Sequence, residues 1–200
     1  DLLNDKILEE SIPLTTGGST WANDSSTLFY TQKDEQTLRS NKIFRHQLGT
    51  SSLSDVLVFT EADDTFGTFV YKTKSKKFIV IGSYSTLTSE YRILNADTPF
   101  EDFKIFQPRV RGLEYSIAHY DDSFYVLTNK DGASNFKLMK TSDDTTTMDY
   151  WEEMISHSED VLLEDIDIFK DYYVVSERSN GLNKIKVVPW NGADSYYLPF

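Results

Sequence analysis

The segment WANDSSTLFYTQKDEQTLRSNKIFRHQLGTSSLSDVLVFTE, residues 21–61, sets a plan that the rest of the chain repeats. A polar turn leads into an apolar strand at residues 28–31, and an alternating strand follows at residues 42–48. A loop that begins at Gly49 separates this strand from a last one at residues 55–59. Short runs of β-branched and aromatic residues between polar turns are typical of antiparallel β-structure.

The plan recurs at a period near 47 residues. The apolar strand after the polar turn begins, in steps of 49, 46 and 48 residues, at Phe29, Phe78, Phe124 and Tyr172. The third strand opens, in steps of 49, 45 and 48, at Asn41, Glu90, Asn135 and Asn183. The fourth opens, in steps of 47, 48 and 45, at Val56, Phe103, Trp151 and Tyr196. A repeat of this length with four short strands is typical of a β-propeller blade, whereas a β-sandwich has no reason to repeat its strands in fours.

We therefore predict an all-β fold, a β-propeller fragment of about four four-stranded antiparallel blades. The predicted domain is a partial propeller over residues 1–200, with its blades at 20–62, 63–110, 111–160 and 161–200. Residues 1–19 are interpreted as the end of a preceding blade, with an outer strand at 6–12 and a turn at 15–18. The chain has no initiator methionine, so we expect it to be a piece of a longer protein and its blades to form an open arc.

The composition limits the partners of the chain. There are 32 Asp and Glu residues against 20 Lys and Arg residues, a net charge of -12. Such a charge repels phosphate backbones and attracts cations, so we expect no nucleic acid partner. The chain has no cysteine, which fits a reducing compartment such as the cytoplasm, with the periplasm as the alternative. No apolar run approaches 18 residues, so we expect no membrane partner.

The sequence offers no catalytic motif. A hydrolytic serine needs a histidine and an orienting acid, and no Gly-x-Ser-x-Gly elbow occurs. The three histidines, His46, His119 and His157, fall in three different repeats, so we predict no metal site and no cofactor. Paired carboxylates could hydrolyse glycosides, but most of them lie in turns, where Asp is common for backbone reasons. We therefore predict no catalytic residue in this chain.

Charged residues at the start of two inner strands are the candidate site. Arg109 and Arg111 precede the inner strand of the third unit, predicted at residues 113–119, and Glu114 lies at its start. Glu164 and Asp165 lie at the start of the inner strand of the fourth unit. In a propeller the inner strands border the central channel, so these side chains would approach its mouth. We predict that they line a substrate channel or contact a second domain. The alternative is that they form salt bridges between blades.

Eight strings carry a resemblance to a known family. They lie, in order along the chain, at residues 21–25, 33–39, 45–50, 61–66, 89–92, 108–116, 162–164 and 177–182. In these strings the chain resembles the N-terminal propeller of oligopeptidase B, or protease II, in the prolyl oligopeptidase family of serine peptidases. The resemblance covers essentially the whole chain.

The resemblance implies a seven-bladed propeller packed over a C-terminal α/β-hydrolase domain. Enzymes of this family cleave short peptides after Arg or Lys, and their Ser-Asp-His triad and acidic subsites belong to the hydrolase domain. No catalytic residue can therefore be carried over to this chain. The implied role is a non-catalytic propeller segment that restricts the access of basic oligopeptides to the hydrolase domain. The alternative is a stand-alone propeller that binds a protein or another ligand.

Overall fold

The computed structural model describes residues 4, 5, 7 and 10–199. Within them, sixteen strands form four antiparallel sheets of four strands each, and there is no α-helix. Three short 3-10 helices lie in the connections, at Ser52–Ser54, Lys130–Gly132 and Met148–Tyr150. No helix of this part of the chain has the length and apolarity needed to cross a bilayer.

Each sheet is a meander in which strands that are consecutive in sequence lie side by side. The first sheet contains β1 (Thr15–Trp21), β2 (Thr27–Lys33), β3 (Ser40–Gln47) and β4 (Val56–Thr60). The second contains β5 (Gly67–Lys72), β6 (Phe78–Tyr84), β7 (Ser89–Asn95) and β8 (Lys104–Ile105). The third contains β9 (Tyr115–Tyr120), β10 (Ser123–Thr128), β11 (Lys137–Ser142) and β12 (Glu152–Ile155). The fourth contains β13 (Leu162–Ile168), β14 (Tyr172–Ser179), β15 (Leu182–Pro189) and β16 (Tyr196–Tyr197). The predicted groups of four antiparallel strands are confirmed.

The prediction for residues 15–19 is wrong. The predicted turn at 15–18 is part of strand β1, which belongs to the first sheet and not to a preceding blade. The pairing of β1 with β2 shifts register between Thr15 and Ser19, and Gly17 has a φ of +86°. A bulge at a glycine lets a turn-like sequence continue as a strand, which explains the error.

The predicted outer strand at residues 6–12 is not seen where it can be checked. Ile7 and residues 10–12 lie outside any strand, and residues 6, 8 and 9 are outside the described residues. Two of the fourth strands, which the sequence predicts to open at Phe103 and Tyr196, are only two residues long, β8 at Lys104–Ile105 and β16 at Tyr196–Tyr197. Short edge strands expose few unpaired backbone groups, which limits pairing with other chains.

The chain divides into two compact units. The first runs to Lys72 and includes Lys76–Ser85 and Tyr91–Lys104, and the second consists of Thr73–Ser75, Thr86–Glu90 and the chain from Ile105 onward. The core of the first unit contains the fully buried Phe29 and Ile43, with Phe103 edge-on to Phe29 at 5.6 Å between ring centres. Full burial of one such side chain stabilises the fold by about 1.5–3 kcal/mol.

The second unit has an apolar core of its own. Its buried members come from β10, β11, β13 and β14, and they are Tyr125, Leu127, Leu138, Leu163, Ile166, Ile168, Tyr173 and Val175. Alternate residues of β9 are buried, as the two-residue period of a strand requires, whereas a bulge interrupts this alternation in β13. The bulge leaves both Glu164 and Asp165, near the start of β13, exposed to solvent.

Candidate functional site

Arg109 contacts a carboxylate of strand β7. The Arg109 backbone N–H donates a hydrogen bond of 3.0 Å to Oε2 of Glu90, and its Nη2 lies 3.5 Å from Oε1 of the same residue. The Glu90 side chain is 7% exposed. A buried carboxylate requires a partner of this kind. For Arg109 the structure therefore provides a structural salt bridge.

Arg111 lies in a first cleft, at the end of the third sheet where β9 begins. This cleft has a volume of about 730 Å³, and it is lined by residues 110–113 and 129–132 with Met148, Asp149 and Trp151. Arg111 is exposed. Asp131, which also lines this cleft, is bound by Lys130 and by Lys137, whose hydrogen bonds hold the pKa of its carboxyl group below the usual range.

Glu114 is held in place by Asn129. The Asn129 Nδ2 group donates hydrogen bonds to the carbonyl of Gly112 at 2.9 Å and to Oε1 of Glu114 at 3.3 Å, and Asn129 Oδ1 accepts from the Glu114 N–H at 2.9 Å. The Thr128 hydroxyl also donates to the Glu114 carbonyl at 3.0 Å. These bonds fix the segment that enters β9, so the Glu114 carboxylate has a defined position.

Glu114 and Glu164 both line a second cleft. It has a volume of about 360 Å³, and its other lining residues are Ser89, Tyr115, Ser116, Leu127, Phe136, Leu162 and Leu163. The pairing of β13 with β14 shifts register between Leu163 and Asp165, so Glu164 is the residue of a bulge. Bulges redirect side chains, here toward the cleft. Two carboxylates among apolar walls suit a cationic group on an aliphatic stem.

The predicted site residues thus separate into groups. Glu114 and Glu164 share a cleft, whereas Arg111 lines another and Arg109 pairs with Glu90. Asp165 is exposed, lines neither cleft, and accepts a hydrogen bond of 2.8 Å from the N–H of Ile166. Glu164 also forms an ion pair with Arg178. The role of these five residues as channel or interdomain contacts stays a prediction.

His119 lies in a buried polar cluster that the sequence did not predict. Its Nδ1 is 2.8 Å from the Ser75 hydroxyl, and its Nε2 is 3.5 Å from Oδ2 of Asp143. The Ser75 hydroxyl lies 2.9 Å from that of Thr73, and the His119 ring is edge-on to Phe124. Since residues 73–75 are anchored by these contacts, the cluster explains why they belong to the second unit.

His46 lies in a second such cluster, in the first unit. Its Nδ1 is 2.7 Å from Oδ1 of Asp55, and the Tyr30 hydroxyl donates to Oδ2 of Asp55 at 2.9 Å. Burial, and then the bond to Asp55, raises the pKa of Tyr30, so its hydroxyl stays protonated and donates. On the other side of the ring, Nε2 lies 3.6 Å from Oε2 of Glu10.

A sequence signal existed for part of this cluster. Arg45 pairs with Val56 across the β3–β4 hairpin, which places His46 opposite Asp55. Glu10 is 36 positions away from His46, and no local pattern connects them. Within the described residues, no group of three or more His, Cys, Asp or Glu side chains is placed to hold a metal ion.

Comparison with known proteins assigns the family. Residues 1–197 match the model of a protein family that is described as "Prolyl oligopeptidase, N-terminal beta-propeller domain". The chain belongs to the prolyl oligopeptidase family. The four meander sheets are therefore propeller blades, and both the predicted fold class and the resemblance seen in the sequence are confirmed.

Relatives within the prolyl oligopeptidase family match along nearly the whole chain. The dipeptidyl aminopeptidase BI of Pseudoxanthomonas mexicana is 35% identical over 191 residues, which are 96% of this chain and 26% of the relative. Protease 2 of Moraxella lacunata is 33% identical over 190 residues, 94% of this chain and 27% of the relative. Oligopeptidase B from Leishmania major has a similar structure, with a TM-score of 0.89 and 30% identity over 98% of this chain and 28% of that one. The chain spans about a quarter of the length of these proteins.

Proposed function

We propose that this chain is the non-catalytic propeller segment of a serine oligopeptidase of the oligopeptidase B type. In this proposal it restricts the access of peptides to an α/β-hydrolase domain elsewhere in the protein. The observation that carries the proposal is the match in fold and sequence to oligopeptidase B along nearly the entire chain. The lack of cysteine supports the cytoplasm as the compartment, with the periplasm as the alternative.

Selection by size needs a rigid obstruction rather than reactive groups. The chain supplies paired β-strands, two buried apolar cores and no Gly-x-Ser-x-Gly elbow. Core strands open only with a free energy close to that of global unfolding, so such sheets stay closed on the timescale of catalysis. A wall of this kind admits short, flexible peptides and excludes folded proteins.

Labelling of the intact protein tests the proposed role. We expect a fluorophosphonate probe to label one serine outside this chain, and we expect peptides of a few residues to be cleaved while a folded protein of the same cleavage sequence is not. A protein that takes up no probe and cleaves no peptide would instead be a binding propeller. Equal cleavage of the short peptide and the folded protein would contradict a gating role.

A preference for basic peptides is a further part of the proposal. The chain carries a net charge of -12, and an acidic wall raises the local concentration of cationic substrates. Glu114 and Glu164 meet in the second cleft, whose apolar walls suit the stem of a Lys or Arg side chain. The names of the relatives do not state one specificity, since one is a dipeptidyl aminopeptidase and another a protease.

Neutralising Glu164 and its exposed neighbour Asp165 should weaken the use of basic peptides. For the double variant Glu164→Gln and Asp165→Asn of the intact enzyme, we expect KM for a dibasic peptide to rise roughly three- to tenfold at low salt. The loss of Glu164 also leaves Arg178 without this counter-ion, which adds repulsion. At high salt the difference should shrink, because screening shortens the reach of exposed charges. KM is measured from initial rates at both salt concentrations.

A matched control separates the local effect from net charge. Glu35→Gln with Asp64→Asn changes the charge by the same amount at exposed positions of the first unit. We expect this pair to change KM by less than half as much as the first pair. Equal effects of both pairs would assign the attraction to overall charge, and an unchanged KM in the first pair would show that these acids steer nothing.

A further inference from the structure

A buried nitrogen faces a third cleft, in the first unit. The cleft has a volume of about 390 Å³ and is lined by Glu10, Ser11, His46, Thr50, Ser51 and Ser52. His46 is only 2% exposed, and within the described residues its Nε2 has no hydrogen-bond partner. A buried polar atom without a partner destabilises the fold, so an occupant of the cleft that binds Nε2 would remove this penalty.

The other ring nitrogen determines what Nε2 can bind. Asp55 accepts from the Tyr30 hydroxyl and lies 2.7 Å from Nδ1 of His46, so the proton of the neutral ring is on Nδ1. Nε2 then presents a lone pair to the cleft. A carboxylate behind the ring, itself hydrogen-bonded, is the usual second contact of a histidine that binds a metal.

The carboxylate of Glu10 stands across from this lone pair. Its Oε1 accepts a hydrogen bond of 2.8 Å from the N–H of Gly49, and its Oε2 lies 3.6 Å from Nε2. Two acceptors at this separation repel each other unless a cation or a proton lies between them. For a neutral ring, an occupant that lies between Nε2 and Oε2 is therefore positively charged.

The separation distinguishes between kinds of cation. A zinc ion bound to both Nε2 and Oε2, with bonds of about 2.0–2.1 Å, would make an N–Zn–O angle of roughly 120°, near the tetrahedral value. An ammonium group that donates hydrogen bonds of about 2.9 Å to both atoms would have an angle of only about 80° between the two bonds. This angle is far from the tetrahedral directions of its N–H groups. Imidazole also selects zinc and similar transition metals over magnesium and calcium.

We propose that His46 Nε2 and Glu10 Oε2 form a binding site for a divalent transition metal ion of the zinc class. Water and cleft hydroxyl groups would complete the coordination. Thr50, for example, donates its hydroxyl proton to the Gln47 carbonyl at 2.7 Å and keeps its lone pairs for the cleft. With two protein side chains the site binds weakly and exchanges its metal, and it fastens residue 10 to the loop after β3. The sequence prediction of no metal site considered clusters of histidines, not a His–Glu pair.

Zinc titration of the intact protein tests the proposal. We expect the wild-type protein to bind one more zinc ion than the variant His46→Gln, and we expect Glu10→Gln to weaken that binding at least tenfold. Cobalt at the same site should give a visible absorption band that zinc removes. His157→Gln is the matched control, since His157 is a half-buried histidine of the second unit whose ring contacts Ser134, and it should leave the affinity unchanged.

The variants also give the outcomes that would overturn the proposal. His46 is buried, so His46→Gln is used only if its circular dichroism matches the wild type; Glu10 has a more exposed side chain and serves as the second variant. Equal zinc binding by wild type, His46→Gln and Glu10→Gln would indicate an adventitious ion only. A wild-type protein that binds no zinc, and whose NMR spectrum shows both His46 nitrogens protonated at neutral pH, would place a proton where we propose the metal.

Discussion

Phe106→Ala is expected to lower the free energy of unfolding by about 3–5 kcal/mol. Phe106 is fully buried, and its ring lies edge-on to Phe124 at 4.9 Å and near Tyr115 and Trp151 at 6.2 and 6.3 Å. Truncation removes these contacts and leaves a cavity that the paired strands β9 and β10 cannot close. Urea unfolding of the intact protein, followed by tryptophan fluorescence, measures the change, and Trp151 reports it locally.

The same truncation at an exposed phenylalanine is the control for Phe106→Ala. Phe100 is 63% exposed and contacts the Arg45 guanidinium at 4.7 Å from the ring centre. Phe100→Ala should cost less than about 1 kcal/mol, the worth of an exposed cation–π contact. If both variants unfold at the same urea concentration, the aromatic cluster around Phe106 does not stabilise the third blade.

The repeat made most of the fold predictable, and glycine explains where prediction failed. The apolar strands that begin at Phe29, Phe78, Phe124 and Tyr172 can be read from the sequence because each is a short run between polar turns. Strand β1 could not, because Gly17 and Gly18 are strong turn formers, and only the pairing with β2 on both sides of the bulge makes this segment part of a strand. Tertiary pairing decided this segment against its local preference.

The candidate site was predictable in position but not in its contacts. The period placed Glu114 and Glu164 at equivalent points of two repeats, and the structure brings both to one cleft. The sequence period could not show that Arg109 pairs with Glu90 or that Glu164 pairs with Arg178. These partners depend on the register of strand pairing and on a bulge, and a shift of one residue moves a side chain to the other face of the sheet.

Gly82→Ala is expected to destabilise the second blade by about 1–3 kcal/mol. Gly82 in β6 pairs with Phe69 in β5, whose ring covers the glycine. A Cβ atom at this position would lie 2.7 Å from Cε1 and 2.9 Å from Cε2 of Phe69, and closer still to Cζ. The ring cannot easily move away, because Tyr71, Tyr84 and Tyr91 lie around it at 5.9, 5.7 and 6.3 Å. Urea unfolding of the variant measures the loss.

Two further variants show whether the clash with Phe69 is the cause. Gly18→Ala is the matched control, another glycine within a strand, where the new Cβ would find its nearest neighbour at an ordinary 3.4 Å. We expect it to change stability by less than about 0.5 kcal/mol. Phe69→Leu removes the ring, so Gly82→Ala should cost much less in that background than in the wild type, a coupling that a double-mutant cycle measures. Equal costs of Gly82→Ala in both backgrounds would show that loss of backbone freedom at position 82, and not contact with the ring, determines the effect.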